Sequence, residues 1–116
     1  MSHFATKLRA HAEAEFGASN RSAIEHWLGY WSSTVERNQA ILHFFRSKLN
    51  LNLQGKRVLD VGCGTAGLSQ LVTREEGTYL GCDFFEKILA FGQAFTRDLP
   101  EGARALLVRS SAIDLP

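Results

Sequence analysis

The chain has 116 residues, 45% of them hydrophobic and only two of them proline, which is enough for one domain with one core and too little for two. Its 13 lysines and arginines balance 12 aspartates and glutamates, so no basic excess argues for nucleic acid. No apolar run approaches the roughly 20 residues of a membrane span, and no secretory signal is evident at the N-terminus.

Taken in chain order, Phe4, Leu8, Ala12 and Phe16 recur every four residues and predict an amphipathic helix over 3–16, stopped by Gly17. Residues 17–20 read as a connector, and Ser22 with Glu25 has the form of a capping box opening the next helix. Ile24, Trp27, Leu28, Trp31, Val35, Leu42, Phe45 and Leu49 carry helical spacing to about residue 49, with a break expected near residue 32, where Gly29 and the Ser32-Ser33 pair weaken the pattern. Beyond the turn signal Gln54-Gly55 the period changes. RVLDV reads as a short buried strand, TAGLSQLVTREE as a helix ending near Gly77, and TYLGCD as a second strand; FFEKILAFGQAFT returns to helical spacing, and ARALLVR is a third strand after a turn at 98–102. The expected fold class is therefore α/β: N-terminal helices over 1–54, then over 55–116 a β-α-β-α-β portion of a Rossmann-like parallel sheet with right-handed crossovers.

Cys63 and Cys82 stand 19 apart in no zinc-like spacing and read as small buried residues of a reducing, cytoplasmic compartment, with no metal site expected. The chemistry concentrates around VLDVGCGTAGLS, Val58 to Ser69. A glycine-rich turn between a strand and a helix lets a ligand approach the backbone, and Gly62, Gly64 and Gly67 fit the dinucleotide fingerprint. Asp60, two residues before the first glycine, is placed to face a cationic group and would repel a pyrophosphate; its alternative role is to cap the turn by accepting nearby amides. Asp83 closes the second strand 21 residues after Gly62, where a carboxylate can accept from two ribose hydroxyls. These residues point to a ligand with a ribose and an ammonium or sulfonium but no phosphate.

On these residues the sequence resembles the class I S-adenosylmethionine-dependent methyltransferases. VLDVGCGTAG is similar to the family's first motif, an acidic residue followed after one hydrophobic residue by Gly-x-Gly-x-Gly, with Ala66 at the fifth position and Gly67 one later. LGCDFFEKIL is similar to the second-strand motif, and ALLVRSSAIDLP resembles the third-strand segment. The resemblance implies S-adenosyl-L-methionine as cofactor, held by Asp60, Gly62, Cys63, Gly64, Gly67 and Asp83, with Phe84 packing on adenine. Ser111, where the family commonly has an aspartate, and Ala112 would lie beside the adenine amine.

It further implies methyl transfer, and the expected acceptor is a small molecule. The N-terminal helices match the family in kind, as a lid for which Trp27, Tyr30 and Trp31 are candidates, although aromatics at helical spacing more often bury area. His26 and His43 are available there without a sequence partner, and no catalytic residue is assigned. The family sheet has about seven strands and this chain stops after the third, so a truncated chain without turnover of its own is expected, with RVLDV at an open edge that could pair with a second chain. Two other functions fit the same residues: an NAD(P)-binding oxidoreductase, and a non-catalytic module that holds a partner at the open edge.

Overall fold

A computed structural model describes residues 3–115, and the side chains of His3, Phe4 and Trp31 lie outside the described residues, as does Pro116. The readings made above for the side chains of Phe4 and Trp31 fall there. The elements run α1 (His3–Phe16), α2 (Arg21–Lys48), β1 (Arg57–Val61), α3 (Leu68–Arg74), β2 (Thr78–Asp83), α4 (Glu86–Arg97) and β3 (Arg104–Arg109). No described helix is long and apolar enough to cross a membrane.

Helix α1 stops where Gly17 turns left-handed at φ 81° and returns its N–H to the Glu13 carbonyl. Helix α2 departs from expectation twice. Its start is capped by Asn20, whose Oδ1 accepts the Ala23 N–H at 3.3 Å, while Ser22 lies inside the helix. It also runs without a break through residue 32. Ser33 returns its hydroxyl to the Tyr30 carbonyl at 2.7 Å, so the serine side chain is satisfied by the helix it was expected to interrupt. Helix α3 is shorter than expected, because residues 65–67 belong to the turn before it and Glu76, left-handed at φ 61°, follows its end.

The chain divides into two compact units, Met1–Arg37 and Asn38–Pro116. In the first, Leu8, Ala12 and Ile24 are buried, Arg9 pairs with Glu25 at 3.1 Å, and the Trp27 ring lies 5.4 Å from His11 and 6.4 Å from Phe16. Trp27 thus makes the packing contacts usual for an aromatic at helical spacing, and Tyr30 is exposed.

The second unit holds the sheet. Its strands are parallel in the order β1-β2-β3, with Val58 opposite Tyr79, Asp60 opposite Gly81, and Leu59 opposite Leu80, which in turn faces Leu106. Side chains alternate across a strand, so the register sorts these residues onto two faces. Val58, Tyr79, Ala105 and Leu107 join one core with Leu42 and Phe45 of α2, Ala66, and Leu68, Leu71 and Val72 of α3. The opposite face is open at Leu59 (48% exposed), Val61 (45%) and Leu106 (62%). RVLDV lies at the open edge expected for it. The strand was also expected to be buried, and here the structure differs: only its Val58 side is taken into the core, since the α2 and α3 residues of that core lie against a single face.

This asymmetry sets a stability test. Leu42→Ala removes a buried core side chain and should cost about 2–5 kcal/mol, whereas Leu106→Ala on the open face should stay within about 0.5 kcal/mol. Urea denaturation of the two variants measures the difference.

Candidate functional site

The turn after β1 is held by its own backbone. Gly62, Gly64 and Ala66 are left-handed at φ 74°, 55° and 57°. The Cys82 carbonyl accepts the N–H groups of both Gly62 (2.8 Å) and Cys63 (2.9 Å), the Asp83 carboxylate accepts that of Gly64 (2.9 Å), and the Cys63 carbonyl accepts that of Ala66 (2.9 Å). A side chain is strained at Gly62 by its φ rather than by crowding, since an added Cβ would meet nothing within 4 Å.

The third fingerprint glycine does not share this geometry. Gly67 caps α3 in the ordinary right-handed region at φ −60°, and Ala66 takes the third left-handed position. A left-handed alanine is disfavoured by about 1–2 kcal/mol. Its methyl group is fully buried in the core cluster, which offsets part of that cost.

Asp83 joins the turns that follow two neighbouring strands. Its Oδ2 accepts the Gly64 N–H after β1, and its Oδ1 accepts the Phe85 N–H at 2.9 Å as the chain enters α4. Each oxygen keeps a second lone pair for another donor. Beside it Phe84 is 59% exposed, with its ring edge-on to Phe85 at 6.0 Å and the Arg109 guanidinium 5.7 Å from its centroid. Ser111 forms a small turn after β3, where its hydroxyl oxygen accepts the Asp114 N–H at 3.2 Å, and Ala112 is exposed. Among the described residues no three histidine, cysteine or acidic side chains gather to hold a metal ion.

Asp60 has a partner the sequence reading did not identify. Tyr79 is fully buried and donates its hydroxyl to Asp60 Oδ2 at 2.7 Å. The route is opened by Gly81, on the same face of β2 two residues beyond Tyr79, where a Cβ would stand 2.7 Å from Leu107 Cδ2, 2.8 Å from the Tyr79 hydroxyl and 2.9 Å from Cys63 Sγ. A glycine inside a strand pattern signals close approach, and Gly81 in TYLGCD carried that signal. Burial, with Asp60 next in effect, raises the Tyr79 phenol far above its ordinary value. Burial, followed by the charges of Asp60 and Asp83, pushes the Cys63 thiol up to about 12. Both groups therefore stay protonated at neutral pH.

No family model and no curated protein sequence matches the chain. Among solved structures, magnesium protoporphyrin IX methyltransferase (ChlM) from Synechocystis PCC 6803 with bound SAM aligns at TM-score 0.63 and 20% identity, over 99% of this chain and 52% of that one. The same enzyme with bound SAH aligns at TM-score 0.61 and 21% identity, over 72% and 37% of the two chains. YjhP from E. coli aligns at TM-score 0.50 and 17% identity, over 65% and 29%. The chain has the fold of the class I S-adenosylmethionine-dependent methyltransferases, a partial Rossmann-like α/β fold with a three-stranded parallel sheet, and it spans about half or less of the chains it matches.

Two outcomes follow from this geometry. Gly81→Ala overpacks the space between Leu107, Tyr79 and Cys63 and should lower stability by about 1–3 kcal/mol, measured by chemical denaturation. The second concerns alkaline pH. The folded Cys63 thiol keeps its proton to about pH 12 while the unfolded thiol releases it near 9.0, so between these values the unfolded chain binds fewer protons. The contribution is fully present below pH 9.0 and lost as pH rises to about 12. Unfolding free energy measured across this window should fall less steeply in Cys63→Ala than in the parent chain.

Proposed function

We propose that the chain is the S-adenosyl-L-methionine-binding portion of a methyltransferase whose acceptor is a small molecule. The observation that carries this reading is the polarity of the turn. Four of its amides, at Gly62, Cys63, Gly64 and Ala66, already donate to protein acceptors, and the carboxylates of Asp60 and Asp83 belong to the two strands beside it. These four amides are thus already engaged, and the two carboxylates add acceptors beside them. A dinucleotide pyrophosphate needs the opposite, because its charge is held by amides that point at it. A ligand with ribose hydroxyls and a cationic amino-acid portion supplies donors that these carboxylates can accept.

In this reading Asp83 accepts from the ribose, with its orientation fixed in advance by Gly64 and Phe85. Asp60 faces the ammonium group, Gly62 and Gly64 leave the backbone open to close approach, and Cys63 lies between them as a neutral thiol. The exposed Phe84 ring offers a stacking surface for adenine, Ser111 and Ala112 border it, and Gly67 carries the chain into α3. The cofactor, when bound, supplies an electrophilic methyl group on sulfur. The chain's own part is to bind and orient it. The acceptor class is supported by the porphyrin named for ChlM, and a cytoplasmic setting is proposed from the sequence spacing of Cys63 and Cys82 alone.

Calorimetric titration with S-adenosylhomocysteine and with NADH tests the reading. Binding of the first and not the second is expected, and the reverse result would replace the methyltransferase reading with the oxidoreductase. Asp83→Ala should weaken S-adenosylhomocysteine binding by about 1.5–3 kcal/mol through the lost charged hydrogen bonds. Unchanged affinity in a variant that melts cooperatively would remove Asp83 from the site.

A further inference from the structure

Tyr79 is a costly way to satisfy one carboxylate. Its ring is completely buried in the second unit, and its hydroxyl needs both an empty side-chain position at Gly81 and the parallel register that sets Asp60 opposite that position. A phenol that only needed an acceptor could use a backbone carbonyl. Here it bonds the side chain of an acidic residue that is itself half-buried, three residues before a loop thiol that also lies beside the phenol. A carboxylate at the end of a strand can rotate about two side-chain torsions, and a short hydrogen bond from a buried, rigid donor removes most of that freedom.

We propose that Tyr79 is a positioning residue for the cationic amino-acid portion of the ligand, acting through Asp60. Its hydroxyl holds Oδ2 so that the carboxylate presents a fixed orientation to the ammonium group, while the adenosine portion of the ligand, placed on Asp83 and Phe84, does not depend on it. The inference rests on the cofactor reading above and divides the ligand into two halves read by two different carboxylates.

The division can be measured with two probes that share adenosine and sulfur. S-adenosylhomocysteine carries the amino-acid portion, and 5′-methylthioadenosine lacks it. Tyr79→Phe should lose about tenfold in affinity for the first and less than about twofold for the second, and Asp60→Asn should show the same selectivity. The double variant should bind no more weakly than Asp60→Asn alone, since both changes remove one arrangement. Equal losses for the two probes, or no loss for either, would overturn the positioning role and leave Tyr79 as core packing. Failure of the parent chain to bind either probe would instead overturn the cofactor reading, and this inference with it. Should Tyr79→Phe not fold, the parent chain labelled with 3-fluorotyrosine keeps the question open to test, because it has only two tyrosines. With Tyr30→Phe as the assignment control, the Tyr79 fluorine resonance should move on adding S-adenosylhomocysteine and stay in place with 5′-methylthioadenosine. Identical responses to both would again overturn the role.

Discussion

The Asp83 carboxylate accepts one N–H from the turn after β1 and one from the turn after β2, at 2.9 Å each. Hydrogen bonds to a charged acceptor are stronger than neutral ones, and these two fix the relative position of turns that are far apart in sequence. The remainder of the site is built on that tie. The Gly64 amide is turned toward β2 only because the backbone is left-handed at Gly62 and Gly64, and the Cys82 carbonyl collects the two amides between β1 and that point. Removing Asp83 would leave the Gly64 amide, in a buried residue, to find another acceptor.

The same tie explains why the turn suits an acceptor-rich chemistry. The amides of Gly62, Cys63, Gly64 and Ala66, which hold the loop's shape, cannot also be offered to an anion, while each Asp83 oxygen keeps a lone pair for a further donor. The geometry also keeps those carboxylates apart in role. Asp83 is held by backbone donors and Asp60 by a side-chain phenol, so a change in one support need not disturb the other. Cys63 sits near both charges, and the combined effect of burial and those charges is to hold its sulfur in the unreactive thiol form.

Much of this framework was legible in the sequence. The change of period after Gly55 marked all three strands, and the spacing from Gly62 to Asp83 reflects one strand-helix-strand unit, which is why the carboxylate returns beside the glycine turn. What the sequence concealed was register and conformation. Ala66 and Gly67 are both small, and only the backbone angles show that the left-handed position falls on the alanine. The Tyr79 hydroxyl reaches Asp60 through a parallel pairing that no local pattern records, although Gly81 marked the vacancy it crosses. In α2 the serines that weaken a helix in isolation are accommodated by bonding within it, so a local propensity was overridden. The open Leu59 side of β1 was hidden for another reason, since a continuous apolar run such as Val58-Leu59 permits a strand to be covered on both faces but does not show that it is.

Register is therefore the quantity on which the site turns. Side chains in a strand alternate faces, so a slip of one residue between β1 and β2 would carry Tyr79 to the side of Leu59 and leave Asp60 facing a different partner. Edge strands are the ones most prone to such slips, and β1 is an edge strand here. Three sets of contacts oppose the slip: the Cys82 carbonyl on Gly62 and Cys63, Asp83 on Gly64, and Tyr79 reaching along the strands to Asp60. Each is satisfied in only one alignment. Two carboxylates proposed to meet the ligand, Asp60 and Asp83, thus also help fix the pairing, and a ligand that bound them would favour that alignment over its alternatives by mass action.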